Sequence, residues 1–169
     1  GTVTEGKPMV TDVIQAAQLS LSRDEMISLV ASLERSSEHP LADAVVRYAR
    51  DNGVVLTPPA SFQSMTGRGA TGVVAGRKVA VGNQALMADA AVSVSSLSSA
   101  AERLSAEGKT IMYVAVDDRL AGLVAVADPI KPTSRPAIAR LHAMGLEVVM
   151  LTGDNQRTAD AVAREAGVD

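Results

Sequence analysis

Glu34 and His39 flank a turn in "ERSSEHP", a carboxylate and an imidazole set five positions apart. A carboxylate accepts hydrogen bonds from an exocyclic amine, and an imidazole can stack on a heteroaromatic ring or bond to its edge. Together they would make an adenine pocket in a chain whose aromatic content is only 2%. Each also has an ordinary explanation. Glu34 can be a solvated charge at a helix end, and His39 a structural or solvated residue before a proline.

A second cluster lies in "MTGRGATG", where Gly67, Gly69 and Gly72 fit G-x-G-x-x-G. That spacing marks a dinucleotide site only when a strand precedes it and a helix opens after it. Here Val73, Val79 and Val81 surround Gly76-Arg77, which predicts a hairpin, with no helix for several residues. A nicotinamide site is therefore not expected. The glycines either form a tight bend between strands or let backbone N–H groups approach a phosphate. Asn83, just after the second strand, either caps a short helix or bonds a ribose or phosphate oxygen. Arg68, Arg77 and Lys78 either offset nucleotide charge or are solvated.

A third cluster, "LTGDN", follows the apolar run "EVVML". The run predicts a buried parallel strand, so Thr152, Gly153 and Asp154 would sit at its C-terminal end and at a helix N-terminus. Ligands of open α/β sheets collect there, and a threonine hydroxyl with backbone N–H groups suits a phosphoryl group. Asp154 as a plain helix cap is the alternative.

The elements that must carry these residues follow from periodicity. Residues 9–16 are apolar enough for a short strand or linker. Ser22 caps a helix whose inner face is Met26, Leu29, Val30 and Leu33. Pro40 opens a second helix with Leu41, Val45, Tyr48 and Ala49 inward, ended by Asn52-Gly53. Strands are expected over 61–66, 69–75 and 78–82, and a short helix over 83–89. Ser93–Ser99 reads as linker and caps ahead of a helix with Leu97, Ala101 and Leu104 inward, stopped by Gly108. Thr110–Val116 and Arg119–Val126 pair through Asp117-Asp118 as an antiparallel hairpin. After "DPIKP" the pattern becomes strand-loop-helix, with Thr133 capping one helix and Gly145 ending it. The fold class is α+β: an antiparallel sheet flanked by helical hairpins, inserted between pieces of an incomplete Rossmann-like α/β domain. The expected division is residues 1–16, 17–124 and 125–169.

Bulk composition narrows the function. The chain has 169 residues, 47% of them hydrophobic and 21% charged, as a folded soluble protein requires. A net charge of −3 and the scarcity of aromatics argue against a nucleic-acid partner. There is no cysteine, and two histidines are too few for an ordinary histidine zinc site, so no metal site is expected. The longest apolar run, Leu120–Ala127, is far too short to cross a bilayer, and the sequence reads as cytosolic.

Taken in order, "GTVTEGKP", "SEHPLA", "TGRG", "VGN", "DPIK" and "MLTGDNQRTA" resemble the P-type ATPases, and within them the heavy-metal-transporting subgroup. The resemblance spans the whole chain and leans towards copper(I) exporters. It implies that Glu34 and His39 hold adenine, that Gly67 and Gly69 lie near the nucleotide's phosphates, and that Asn83 helps hold the nucleotide. It implies a phosphoryl-contact loop at Thr152, Gly153 and Asp154, and a domain-junction role for Asp128. The middle region would be a nucleotide-binding domain and the flanking pieces a phosphorylation domain on the cytosolic side of a membrane pump. The implied ligands are ATP and, in the intact enzyme, Mg²⁺. The implied partners are that enzyme's membrane and actuator domains. The chain opens at the glycine of the family's D-K-T-G-T, and its later G-D-G-x-N-D motif does not appear. ATP binding without hydrolysis by the family's route is thus expected of these residues. A haloacid-dehalogenase-type phosphatase with the middle region as a cap is the alternative. It too needs an aspartate at the end of its first strand.

Overall fold

The computed structural model describes residues 2–17, 19–152 and 156–169. One six-stranded antiparallel sheet organises them, in the order β1-β6-β5-β4-β3-β2. Its strands are β1 (Met9–Gln15), β2 (Ser61–Met65), β3 (Gly69–Val74), β4 (Arg77–Gly82), β5 (Thr110–Val116) and β6 (Arg119–Ala127). Helices α1 (Arg23–Glu34) and α2 (Pro40–Asp51) cover one face. Helices α3 (Gln84–Asp89) and α4 (Ser98–Ala106) cover the other. Helices α5 (Ser134–Ala143) and α6 (Gln156–Ala166) follow the last strand.

Period-two alternation assigns the faces. Along β5, Met112, Val114 and Val116 pack under α1 and α2, while Tyr113 and Ala115 face α3 and α4. The register of β6 on β5 skips Ala121, a bulge that turns Ala121 and Gly122 towards the same layer. Both tight hairpins use residues at positive φ: Ala75 and Gly76 between β3 and β4, and Asp117 and Asp118 between β5 and β6. That geometry matches the strand twist.

Helix α1 is held at its start by a reciprocal capping box. The Glu25 N–H donates to Ser22 Oγ at 3.1 Å, and the Ser22 N–H donates to Glu25 Oε2 at 2.7 Å. Met26, Val30 and Leu33 are fully buried, each contributing about 1.5–3 kcal/mol by leaving water. The inner face of α2 is Ala42, Val45, Val46 and Ala49, with Leu41 and Tyr48 half-buried at its flanks. All four expected inward residues therefore touch the core, on a face widened by Ala42, Ala44 and Val46.

Two expectations for the last third are corrected. Residues 147–151 form no strand, and Val149 and Leu151 are exposed. An apolar run becomes a buried strand only beside a neighbouring strand, and no described residue pairs with this one in a sheet. It is tied instead to the end of the chain, where the Val148 N–H donates to the Asp169 carboxylate at 2.9 Å. Thr133 occupies the N-cap of α5 but makes no side-chain cap bond; its backbone is already helical.

The segment before β1 and the segment after β6 lie together. Thr4 bridges Ile130, and the Asp128 carboxylate accepts from the N–H groups of Gly6 (3.1 Å) and Lys7 (3.0 Å). Asp128→Ala is expected to free those two amides while leaving β5 and β6 unchanged. Hydrogen exchange should then accelerate at Gly6 and Lys7 by roughly tenfold, the effect of losing a charge-assisted bond of about 1.5 kcal/mol.

Candidate functional site

A cleft of about 460 Å³ opens between the α1–α2 turn, the β2–β3 turn and the start of β5, within the size range of small-molecule sites. Glu34, His39, Gly67, Gly69 and Asn83, spread over three separate stretches of sequence, all line it. Met65, Ala70, Ile111 and Met112 supply apolar surface. In a site without Phe, Tyr or Trp, methionine and isoleucine join the His39 ring as surface that could pack against a flat heterocycle.

Glu34 is the last residue of α1 and is only 4% exposed, so it is not a solvated helix-end charge. Burial pushes its carboxyl up to about 7, against a weaker downward pull from the hydroxyl of Ser37. No ion pair offsets that burial; the Ser37 hydroxyl is the donor it has, and a further donor entering the cleft would favour the ionised form. Ser37 also lines the cleft. The sequence signal for it was only its place between Glu34 and His39.

His39 is exposed and serves as N-cap of α2, its Nδ1 accepting from the Leu41 N–H at 3.2 Å. That bond makes Nδ1 the acceptor, so the proton of the neutral ring sits on Nε2, free to donate. His39 thus has a structural role and an unused donor together. Replacing it by asparagine keeps a cap acceptor and removes the ring. His39→Asn should keep the melting temperature within about 2 °C of the parent. ATP should bind about tenfold more weakly, from loss of roughly 1.5 kcal/mol of contact. Paired thermal melts and calorimetric titrations check both halves.

Each glycine of the G-x-G-x-x-G stretch has its own backbone reason. Gly67 sits at φ +69° in the turn closed by the Arg68 N–H on the Met65 carbonyl, with open space where a Cβ would be. Gly69 has φ +142°, and a Cβ there would lie 2.1 Å from the Val81 carbonyl oxygen. Gly72 packs under α1, where a Cβ would lie 2.6 Å from Leu33 Cδ1. Close approach to a ligand is therefore not needed to explain Gly69: the β3–β4 pairing already requires a glycine. Asn83 does two jobs at once. Its Oδ1 accepts from the Leu86 N–H at 3.1 Å to cap α3, and its Nδ2 donates to the Gly67 carbonyl at 2.8 Å. It fixes the glycine turn at the cleft mouth.

The remaining residues lie apart. Asp128 and Thr152 do not line the cleft; Thr152 is exposed, and Gly153 and Asp154 lie outside the described residues. Arg77 and Lys78 point away, bound to Asp117 (2.8 Å) and Asp118 (3.0 Å). Among the described residues, no group of three His, Cys, Asp or Glu could hold a metal ion. No described helix is long and apolar enough to cross a membrane.

The model of the haloacid dehalogenase-like hydrolases matches residues 1–169. The chain belongs to this family. Within it, the chain is 50% identical over its whole length to the copper-transporting P-type ATPase of Rhizobium leguminosarum bv. viciae, of which it spans 20%. It superimposes over its whole length on a zinc-transporting PIB-type ATPase solved in the E2.Pi state, with TM-score 0.82, 31% identity and 27% of that chain covered. Over 72% of its length it also matches the N-domain of HMA6, a copper-transporting P-type ATPase, with TM-score 0.59, 27% identity and 99% of that chain covered. The resemblance to heavy-metal P-type ATPases is thus upheld within the hydrolase family. The expected α+β architecture agrees with these structures. The chain spans about a fifth of the length of its curated relatives.

Proposed function

We propose that the cleft binds the adenine nucleotide of a metal-exporting P-type ATPase. The observation that carries this reading is the convergence of Glu34, His39, Gly67, Gly69 and Asn83 on one cleft. Ionised Glu34 accepts from the adenine 6-amino group. His39 Nε2–H donates to the ring edge or its plane stacks on it. The turn at Gly67, held by Asn83, leaves space for the phosphate chain. Residues 17–124 form the nucleotide-binding unit, with β1 from residues 1–16 and the end of β6 from residues 125–169 completing its sheet, and the chain after β6 belongs to the phosphorylation unit. Asp128 clasps the two connecting segments at the junction, and Thr152, Gly153 and Asp154 form the phosphoryl-contact loop.

In the whole protein, the terminal phosphoryl group of ATP passes to an aspartate and drives export of a soft metal ion, copper(I) by preference, from the cytosolic side of a membrane. Mg²⁺ neutralises phosphate charge in that step. The described residues offer no ligand set for it, and they supply only binding and orientation of the nucleotide. The other partners are the membrane and actuator domains, and nucleic acid is not among them. A haloacid-dehalogenase phosphatase shares the family, but the similarity to copper- and zinc-transporting P-type ATPases favours the pump.

Calorimetric titration of the 169-residue protein with ATP, ADP and NADH tests the reading. ATP and ADP should bind without added magnesium and ahead of NADH. Preference for NADH would reject it.

A further inference from the structure

Arg68 lies between Gly67 and Gly69, and among the described residues it is the one lysine or arginine lining the cleft. Its main chain is locked in place. Its N–H donates to the Met65 carbonyl at 2.9 Å, and its carbonyl accepts from the Asn83 N–H at 2.8 Å. A Cβ on Gly82 would lie 2.1 Å from that carbonyl, so the strand packs directly against it. Only the side chain can move. It forms an ion pair with Asp89, the last residue of α3, and the two side chains are 48% and 46% exposed.

Such an exposed pair is held weakly, because water competes for both charges. A polyphosphate presents more negative charge than one carboxylate and matches the guanidinium fork at two oxygens. Arg77 and Lys78 cannot substitute, since neither lines the cleft; both lie beside the β5–β6 turn. We propose that Arg68 is the phosphate-recognising cation of the cleft and that Asp89 is its resting partner, displaced when a nucleoside polyphosphate binds. The pair would select the charged tail, while Glu34 and His39 select the base. This rests on the nucleotide reading of the cleft.

Titrations with ATP and with adenosine, at low and high salt, separate the two ideas. Arg68→Gln should weaken ATP about tenfold more than adenosine and flatten the salt dependence of ATP binding. Asp89→Asn, which removes the charge facing Arg68 but alters no residue lining the cleft, should tighten ATP two- to threefold. Arg68→Lys should recover part of the loss. Equal weakening of ATP and adenosine in Arg68→Gln, or unchanged ATP affinity in both variants, overturns the assignment of Arg68 while leaving the nucleotide cleft intact. Failure of the parent protein to bind either ligand overturns both.

Discussion

Gly69→Val is expected to unfold much of the sheet rather than merely block a ligand. The residue sits at φ +142°, where a β-branched side chain is an outlier, and the added Cβ would meet the Val81 carbonyl oxygen at 2.1 Å and Gly82 Cα at 2.6 Å. Both contacts are backbone atoms of β4, the strand paired with β3, so neither can step aside without breaking the pairing. Conformational strain and forced separation together cost about 4 kcal/mol, a large share of the roughly 5–15 kcal/mol available to a domain. The melting temperature should fall by roughly 10 °C or more. Gly67→Ala provides the comparison: its φ of +69° is strained, but nothing lies within 4 Å of the new atom, so about 1 kcal/mol is expected. Circular-dichroism melts of both variants decide. A Gly69→Val protein that melts like the parent yet no longer binds ATP would show that the glycine serves the ligand.

The second large effect concerns Glu34. An unperturbed glutamate titrates near 4.5, whereas burial raises the folded carboxyl to about 7. Between those two values the folded state holds a proton that the unfolded state has lost. Stability therefore falls as pH rises through that window; below it there is no penalty, and above it the penalty is complete. The gap corresponds to about 3 kcal/mol. Glu34→Gln keeps the shape without the charge, so it should match the parent near pH 4 and exceed its stability by about 3 kcal/mol at pH 8. Denaturant titrations across that range check the sign. ATP affinity should move the other way. The ionised carboxylate is the better acceptor for an amine, so parent affinity should rise about tenfold from pH 6 to pH 8. Every other titrating group is common to both proteins, so the difference between their pH profiles isolates Glu34. A position where charge lowers stability and raises binding follows the usual exchange between stability and function.

Much of this architecture was legible from local pattern. The Ser22 cap, the Met26–Leu33 stripe, Pro40 at the first turn of α2 and the Asp117-Asp118 hairpin are each decided by neighbours within a few residues. Three features were not. The run Glu147–Leu151 advertises burial, but apolar composition cannot say what lies beside it, and Leu151 is 95% exposed. The pairing of β1 with β6 joins residues more than a hundred positions apart, which no local periodicity encodes. Glu34 ends a helix, where a carboxylate is ordinarily solvated. Its burial depends on how the α1–α2 turn folds against β3 and β5. The site residues were visible as types and spacings, but their convergence was a property of the sheet. Arg68 was indistinguishable from Arg77 and Lys78 until the fold placed it alone of the three on the cleft.

The most direct test of the nucleotide cleft is an amide chemical-shift map of the isotopically labelled protein titrated with ATP. The largest and saturable changes should fall at Glu34, Ser37, His39, Gly67, Arg68, Gly69 and Asn83, with β1 and α6 little affected. Changes centred on another surface, or none at millimolar ATP, would contradict the account.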